Sequence, residues 1–446
     1  MSAQVQADFF DRCRGRVLRS DPFAPTGRVI ASVGSVIEAK GLPARIGSIC
    51  RVESEDGGGS FRAEVVGFRD RRFLLMPLGE AGGVGPGARI RLLRHLPDTP
   101  AGDGCLGRVL DPLGRPIDGG APLEGVVRVP LYRRSEPALA RRPISEILDV
   151  GVRAINGLLT LARGGRFGLF AGSGIGKSTL LGQIARHTRA DVNVIALVGE
   201  RGREVREFVE DELGEARERS VVIVATSDEA PLLRVRAAHA ATAIAEQQRR
   251  HGRHVLLLMD SVTRFCAAQR EIGLAAGEPP ATRGYPPSVW STLPRLLERA
   301  GTGASGGSIT GIYTVLVEGD DPHEPVADAA RSLLDGHVML SRELAEAGHF
   351  PAIDVLASVS RVMPDVVSEG HSRLAAHVRE MLATRRRVED LVAVGAYQEG
   401  SDPTIDLALK LAPAIESFLR QPPTEASSFD EALTRMAQTL EVAGTA

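Results

Sequence analysis

The alternation of apolar and polar positions changes twice along the chain. Up to about Leu96, short β-forming segments are separated by glycine clusters such as Gly82–Gly87, which predicts a small β-barrel. From about Gly107 to Pro364, strand-like and helix-like segments alternate as in a parallel α/β sheet. Beyond that point the apolar residues recur with the period of an α-helix. The predicted barrel strands are Gly27–Glu38, Ile49–Val52, Phe61–Phe68, Arg72–Pro77 and Arg89–Leu92, and the late helices are Ser368–Leu391, Pro403–Leu419 and Phe429–Val442.

An amphipathic helix is predicted before the barrel. Val5, Phe9, Cys13 and Val17 recur at four-residue steps, and charged residues occupy the other face. Such a stripe either packs on the chain's own barrel or docks a partner helix or a membrane surface. The sequence leaves both interpretations open.

The segment Ala171–Ser178 is predicted to be a phosphate-binding loop, because it follows an apolar run and precedes a helix-like stretch. Its glycines let successive N–H groups turn toward phosphate oxygens, and the next helix points its positive end at the same anion. Lys177 would reach the β- and γ-phosphates of ATP, and the Ser178 hydroxyl would bind Mg²⁺. Ala171 replaces the usual first glycine, a change that many strand-to-loop turns accept. The predicted nucleotide contacts are Gly172, Ser173, Gly174, Ile175, Gly176, Lys177, Ser178 and Thr179.

Two acidic residues follow predicted buried strands. The apolar run His254–Asp260 ends in a carboxylate that would hold the water shell of Mg²⁺. The run Val192–Val198 leads to Glu200, the best candidate for polarising the attacking water. The alternative for Glu200 is a surface carboxylate at the start of a charged helix over Glu204–Glu218.

Composition excludes several classes of protein. The net charge of −2 over 446 residues gives no strongly basic surface for nucleic acid. No apolar run reaches the length of a membrane span, and the charged start is not that of a signal peptide. The four cysteines, Cys13, Cys50, Cys105 and Cys266, are far apart and favour a reducing cytoplasm without a metal site.

Several motifs together closely resemble the ATPase of type III protein export, a family related to the catalytic beta subunit of rotary ATP synthases. The resemblance covers nearly the whole chain. It implies an α/β fold in which a central RecA-like P-loop ATPase domain follows an N-terminal β-barrel and precedes a C-terminal helical domain, assembled as a homo-hexameric ring. The motifs are Gly172–Ser178, Gly199–Val205, Met259–Phe265, Gly284–Ser288, Gly307–Thr310, Tyr313–Asp321 and Ser358–Met363.

The resemblance also implies domain boundaries and partners. We expect the N-terminal helix over 1–20, the barrel over 21–96, the ATPase domain over 97–364 and the helical domain over 365–446. The N-terminal helix would bind a stator-like regulatory subunit, and the loop 277–287 would face the ring's pore and a coiled-coil stalk protein. The resemblance also implies that export-gate membrane proteins and chaperone–substrate complexes are partners. It implies a cytoplasmic location, with peripheral association at the inner membrane.

The resemblance assigns roles to single residues. Glu200 matches the family's catalytic glutamate, and Arg264 matches an arginine near the γ-phosphate, with a structural ion pair as its alternative. Arg361 matches the finger that a neighbouring subunit inserts into the site. Phe350 stands where relatives commonly have a tyrosine that stacks on adenine. Phe418 matches a second adenine-side aromatic, although a core position is an equal alternative.

Within the family, Pro325–Arg331 and Gly395–Pro403 look more like flagellar members than injectisome members. Energising flagellar export is therefore the expected function, with the injectisome enzyme as the alternative. A hexameric RNA translocase would need a barrel with a stacking cluster, which is not obvious here. A non-catalytic ring subunit would be expected to lack Glu200. The arginine runs 133–134, 141–142 and 385–387 are interpreted as solvated surface, with anionic lipid as the alternative ligand.

Overall fold

The computed structural model describes residues 25–54, 59–317 and 324–441. The predicted N-terminal helix over 1–20 lies outside these residues. The chain divides into two compact units after Pro97.

The first unit is a closed six-stranded barrel. Its strands are β1 (Thr26–Val33), β2 (Val36–Lys40), β3 (Ile49–Glu53), β4 (Ser60–Arg69), β5 (Arg72–Pro77) and β6 (Arg89–Arg94). They pair in the order β1–β2–β5–β4–β3–β6, and β6 closes on β1. The single predicted segment Gly27–Glu38 is in fact a hairpin, because Gly34 turns the chain with φ +57°. Inward-facing side chains such as Val52, Val65 and Leu75 fill the interior.

The second unit contains a large sheet and two small ones. Its strands are β7 (Asp98–Ala101), β8 (Val109–Leu110), β9 (Val127–Pro130), β10 (Ile147–Leu148), β11 (Leu161–Ala162), β12 (Arg166–Ala171), β13 (Val192–Glu200), β14 (Ser220–Thr226), β15 (His254–Asp260), β16 (Gly301–Thr302), β17 (Ser308–Leu316), β18 (Gly336–Leu340) and β19 (Ile353–Ser360). The large sheet has the order β19–β18–β12–β17–β15–β13–β14–β8. Neighbours in this order are parallel except for β19, which runs antiparallel to β18. The ninth strand, β16, lies off this order and pairs antiparallel with β17.

Helices cover this sheet and form the end of the described chain. They are α1 (Arg153–Leu158), α2 (Lys177–His187), α3 (Gly202–Glu207), α4 (Pro231–Arg250), α5 (Val262–Ala275), α6 (Pro287–Leu297), α7 (Pro325–Leu333), α8 (Arg342–Glu346), α9 (Met363–Val366), α10 (Glu369–Ala393), α11 (Pro403–Leu419) and α12 (Phe429–Glu441). Across the described ranges, no helix has both the length and the apolar character that a membrane crossing requires.

The predicted charged helix over Glu204–Glu218 is broken in the structure. After α3 the chain forms a π-helical turn over Phe208–Glu212 and then a 3₁₀ helix over Gly214–Arg219. Gly214 has φ +49°, which an α-helix does not accommodate. The π-helical turn packs against α2, the helix that follows the phosphate-binding loop.

The arrangement of parallel strands places the start of the predicted phosphate-binding loop and two predicted site residues at one edge of the sheet. β12 ends at Ala171, β13 at Glu200 and β15 at Asp260. Parallel strands bring their carboxyl ends to the same edge, where ligands of open α/β sheets bind. β13 and β15 are buried along their full lengths, as strands covered on both faces should be.

Candidate active site

The loop between β12 and α2 has the backbone conformation of an anion-binding turn. Gly174 and Gly176 have φ +79° and +85°, a region that side chains disfavour. A Cβ placed on Gly174 would meet no atom within 4 Å, so the space at this point of the loop is open. A Cβ on Gly176 would lie 3.4 Å from the ring of Phe350. The loop therefore presents its backbone and the N-terminus of α2 toward one open space beside an aromatic ring.

Lys177 joins the two predicted acidic residues. Its Nζ lies 2.5 Å from Oδ1 of Asp260 and 3.5 Å from Oε1 of Glu200. Asp260 is 3% exposed, and its Oδ1 also accepts a hydrogen bond of 2.6 Å from Thr314 on β17. The structure thus brings together the lysine and both carboxylates that the sequence predicted for this site.

Glu200 has the electrostatic surroundings of a base that works near neutrality. It is 6% exposed. Burial, followed by the charge of Asp260, raises the pKa of Glu200 to about 7, while Lys177 and Arg264 act in the opposite direction. A hydrogen bond with Glu204 also raises this pKa and lowers that of Glu204. Among the described residues nothing donates a hydrogen bond to Oε1 of Glu200, although Lys177 Nζ and Arg264 Nε lie at ion-pair distances of 3.5 and 3.4 Å from it.

Arg264 lies beside Glu200 because a glycine makes room for it. It is in the first turn of α5, where its N–H donates to the Ser261 hydroxyl, and its Nε lies 3.4 Å from Oε1 of Glu200. Gly199 has φ +75°, and a Cβ at this position would stand 2.8 Å from Cδ of Arg264. The glycine before Glu200 therefore leaves room for the side chain of Arg264, which packs across it.

Removing the charge of Arg264 should move the pH dependence of a reaction in which Glu200 acts as the base. A base acts in its deprotonated form, so activity should rise with pH through the pKa of Glu200. Arg264 lowers that pKa, and Arg264→Gln should therefore shift the acid limb of kcat to higher pH. Arg264→Lys, which keeps the charge, is the matched control. If Arg264→Gln lowered the maximal kcat but left the midpoint of its pH dependence unchanged, Arg264 would not act through Glu200.

Ser178 and Thr179 begin α2 but differ in their surroundings. Ser178 is exposed. The Thr179 hydroxyl instead donates to Oε1 of Glu212 at 2.9 Å, in the π-helical turn. Because the Thr179 hydroxyl is engaged in this way, only the backbone N–H of Thr179, in the first turn of α2, is available to a phosphate.

The two predicted adenine-side aromatics lie in different environments. Phe350 is 44% exposed and next to the phosphate-binding loop. Phe418 is 5% exposed, and its ring lies 3.1 Å from the position of a Cβ on Gly157 in α1. The surroundings of Phe418 are those of a core residue, and its role in adenine binding stays a prediction.

Arg361 lies at the far edge of the sheet from the other predicted catalytic residues. It follows β19, whose Ser360 pairs with Gly336, the first residue of β18. Gly336 in turn pairs with Phe167, near the start of β12. The phosphate-binding loop begins at the other end of β12, about 16 Å away at ~3.3 Å per residue. The structure therefore does not bring Arg361 to the loop of its own chain.

Three residues of this neighbourhood were not predicted from the sequence: Glu204, Glu212 and Thr314. Glu204 lies in α3, which begins two residues after β13 ends at Glu200, so this short connection could have indicated that the two carboxyl groups are close. Glu212 and Thr314 reach the site through the tertiary fold, and local sequence carries no sign of their contacts.

The site defines a class of enzyme. A glycine loop with its lysine, a strand-end aspartate and a buried glutamate at one edge of a parallel sheet are the parts of a P-loop nucleoside triphosphatase.

Comparison with known families agrees with the site. The nucleotide-binding domain of the ATP synthase alpha/beta family matches residues 151–360, and the β-barrel domain of that family matches 29–94. The T3SS EscN ATPase C-terminal domain matches 367–438.

Relatives match over nearly the whole chain. The flagellum-specific ATP synthase of Pseudomonas aeruginosa is 53% identical over 421 residues, which cover 93% of each chain. The type 3 secretion system ATPase of Xanthomonas euvesicatoria is 49% identical, over 91% of this chain and 92% of its own. The assembled ATPase EscN from the enteropathogenic E. coli type III secretion system has a TM-score of 0.88 at 43% identity, over 93% of this chain and 100% of its own.

The chain belongs to the ATPases of type III protein export, within the ATP synthase alpha/beta family. The enzyme is an ATPase, and the resemblance and the fold class predicted from the sequence are confirmed.

Proposed function

We propose that this ATPase works as a homo-hexameric ring that energises flagellar type III protein export by unloading chaperone-bound substrates at the export gate. Flagellum-specific ATP synthases from Pseudomonas aeruginosa and Salmonella typhimurium are 53% and 51% identical to it over more than nine-tenths of its length. EscN, 43% identical, is described as an assembled ATPase. These two likenesses support the flagellar role and the assembly.

Binding of MgATP would use the residues at the strand ends. Loop N–H groups and Lys177 would hold the phosphates, and the Phe350 ring would stack on adenine. The donor set suits Mg²⁺, because Asp260 is a buried carboxylate at the end of β15 and Ser178 offers an exposed hydroxyl in the first turn of α2. When bound, Mg²⁺ would neutralise phosphate charge.

Hydrolysis would depend on Glu200 and two arginines. The Glu200 carboxylate would orient and polarise the attacking water. Arg264 would hold Glu200 and approach the γ-phosphate. Arg361 would stabilise the developing charge in the site of a neighbouring subunit.

The position of Arg361 is the observation that best supports assembly into a ring. This arginine is exposed at the sheet edge opposite the loop, so an arginine finger at this position serves another chain's nucleotide. Sites completed by two subunits require an assembly. A closed ring gives each loop one neighbouring finger.

The remaining partners extend the same proposal. One structure of EscN holds its central stalk EscO, and a coiled-coil stalk in the pore is proposed here too. The loop 277–287 suits contact with it: residues 279–283 are exposed, while Tyr285 is buried against Trp290. The stator-like subunit would bind the predicted N-terminal helix. The ring would lie in the cytoplasm against the inner membrane, bound to export-gate proteins.

Export in cells tests the proposed function. In a strain lacking its own flagellar export ATPase, this chain should restore flagellin in the medium, whereas Lys177→Ala should restore none and still accumulate to the same level. Purified wild-type protein should also form rings with MgATP, measured by analytical ultracentrifugation. Export restored only in a strain lacking an injectisome ATPase would favour the virulence-type alternative instead, which the similarity to the Xanthomonas relative supports.

A further inference from the structure

Arg361 is held by a short segment of its own chain. Its N–H donates to the carbonyl of Asp335 at 2.9 Å. Its guanidinium donates to the carbonyls of Leu334 at 3.3 Å and Arg331 at 3.2 Å. All three acceptors lie at the end of α7 or in the turn that leads into β18. The direction of the Arg361 side chain therefore depends on where this turn is held.

The turn is fixed by Arg166, the first residue of β12. The two residues exchange backbone and side-chain bonds: the Asp335 N–H donates to the carbonyl of Arg166 at 2.7 Å, and the Arg166 N–H donates to Oδ2 of Asp335 at 2.8 Å. The guanidinium of Arg166 also faces both oxygens of Asp335 at 3.4 Å. Glu298 contacts Arg166 as well, and Arg141 contacts Glu298. A charged pair with this many hydrogen bonds holds the turn in one place.

Gly336, the residue after Asp335, lies very close to the backbone of β19. A Cβ on Gly336 would stand 2.5 Å from the carbonyl oxygen of Val359 and 3.1 Å from Cα of Ser360. Ser360 is anchored in addition by its hydroxyl, which donates to the carbonyl of Thr160 at 2.7 Å. The chain is thus held at Ser360, directly before Arg361, and at Arg361 itself by its bonds to the turn.

We propose that Asp335 and Arg166 are positioning residues for Arg361, acting on ATP hydrolysis in the neighbouring subunit and not in their own. This inference rests on the proposed function of Arg361 in trans. Neither side chain lies at the phosphate-loop edge of the sheet: Arg166 begins β12, and the loop follows the other end of that strand. A misplaced finger loses transition-state contacts, whereas nucleotide binding uses groups at the opposite edge.

Mixed rings with two kinds of subunit separate the two sides of an interface. One subunit, the finger donor, carries Lys177→Ala and keeps Arg361. The other, the acceptor, carries Arg361→Ala and keeps its loop. Each is inactive alone, and in the mixture ATP is hydrolysed only where a donor's Arg361 meets an acceptor's loop. Asp335→Ala is then introduced into the donor or into the acceptor, and kcat and KM for ATP are measured at equal ring content.

Placed in the donor, Asp335→Ala should lower kcat of the mixture by about 10- to 100-fold with KM unchanged. Placed in the acceptor, it should change neither constant. Asp335→Asn in the donor, which keeps an acceptor oxygen for the Arg166 N–H, should recover most of the activity. Arg166→Lys in the donor keeps the charge but loses the fork, and should fall between the two.

Two results would overturn the positioning role. Equal losses in donor and acceptor would show general damage to the fold, and no loss in the donor would show that Asp335 does not direct the finger. Failure of the proposed function is recognised separately, because the unmodified donor–acceptor mixture would then be inactive in rings verified to contain both subunits. That result would reject the in-trans role of Arg361, and the positioning role with it.

Discussion

Glu200→Gln should bind MgATP with nearly wild-type affinity and hydrolyse it about 10²- to 10⁴-fold more slowly. The amide keeps the size of the side chain but cannot take a proton from water, and Lys177 and the loop that hold the phosphates are untouched. Turnover is measured by phosphate release and affinity by a fluorescent nucleotide. Lys177→Ala should differ by losing affinity as well, because a phosphate-binding charge disappears.

The matched control for this substitution is Glu207→Gln. Glu207 is an exposed carboxylate at the end of α3, the helix that follows Glu200, and it pairs with Arg203. Its loss should leave both kcat and affinity within about twofold, since an exposed pair of this kind contributes little. Wild-type turnover by Glu200→Gln would remove Glu200 from the mechanism.

Arg361→Ala should bind nucleotide normally and lose about 10³-fold in kcat, the lower end of what arginine fingers contribute. The side chain is remote from the loop of its own chain, so cis binding has no reason to change. Arg361→Lys should recover only part of the rate, because an ammonium lacks the planar fork. Wild-type activity should rise cooperatively with protein concentration, measured together with the oligomeric state. Full activity in a proven monomer of Arg361→Ala would exclude the finger role.

Local sequence was sufficient for the parts of the site that follow strands. Lys177, Glu200 and Asp260 each lie in or just after a strand–turn signal, and the parallel sheet necessarily gathers such ends at one edge. The late helices were also predicted closely, since an apolar period of 3.6 and capping residues such as Asp402 are local properties.

Non-local contacts were beyond the same reasoning. The charged segment after Glu200 has helical composition, but in the structure it contains a π-helical turn, and Glu212 of this turn accepts a hydrogen bond from Thr179 of α2. Arg141 was interpreted as solvated surface, whereas its side chain is largely buried and contacts Glu298. Arg166 and Asp335 are separated by 169 residues and belong to no motif. Arg361 itself was identified only by family resemblance.

Because the N-terminal barrel is closed, neighbouring copies of the protein cannot join their barrels by edge-strand pairing. An open sheet presents unpaired N–H and C=O groups, onto which a strand of another molecule can add. Here β6 pairs with both β1 and β3, so the six strands of the described barrel leave no such border. Barrels crowded side by side must therefore recognise one another through side chains and loops. Strand exchange between them would first require a barrel to be torn open.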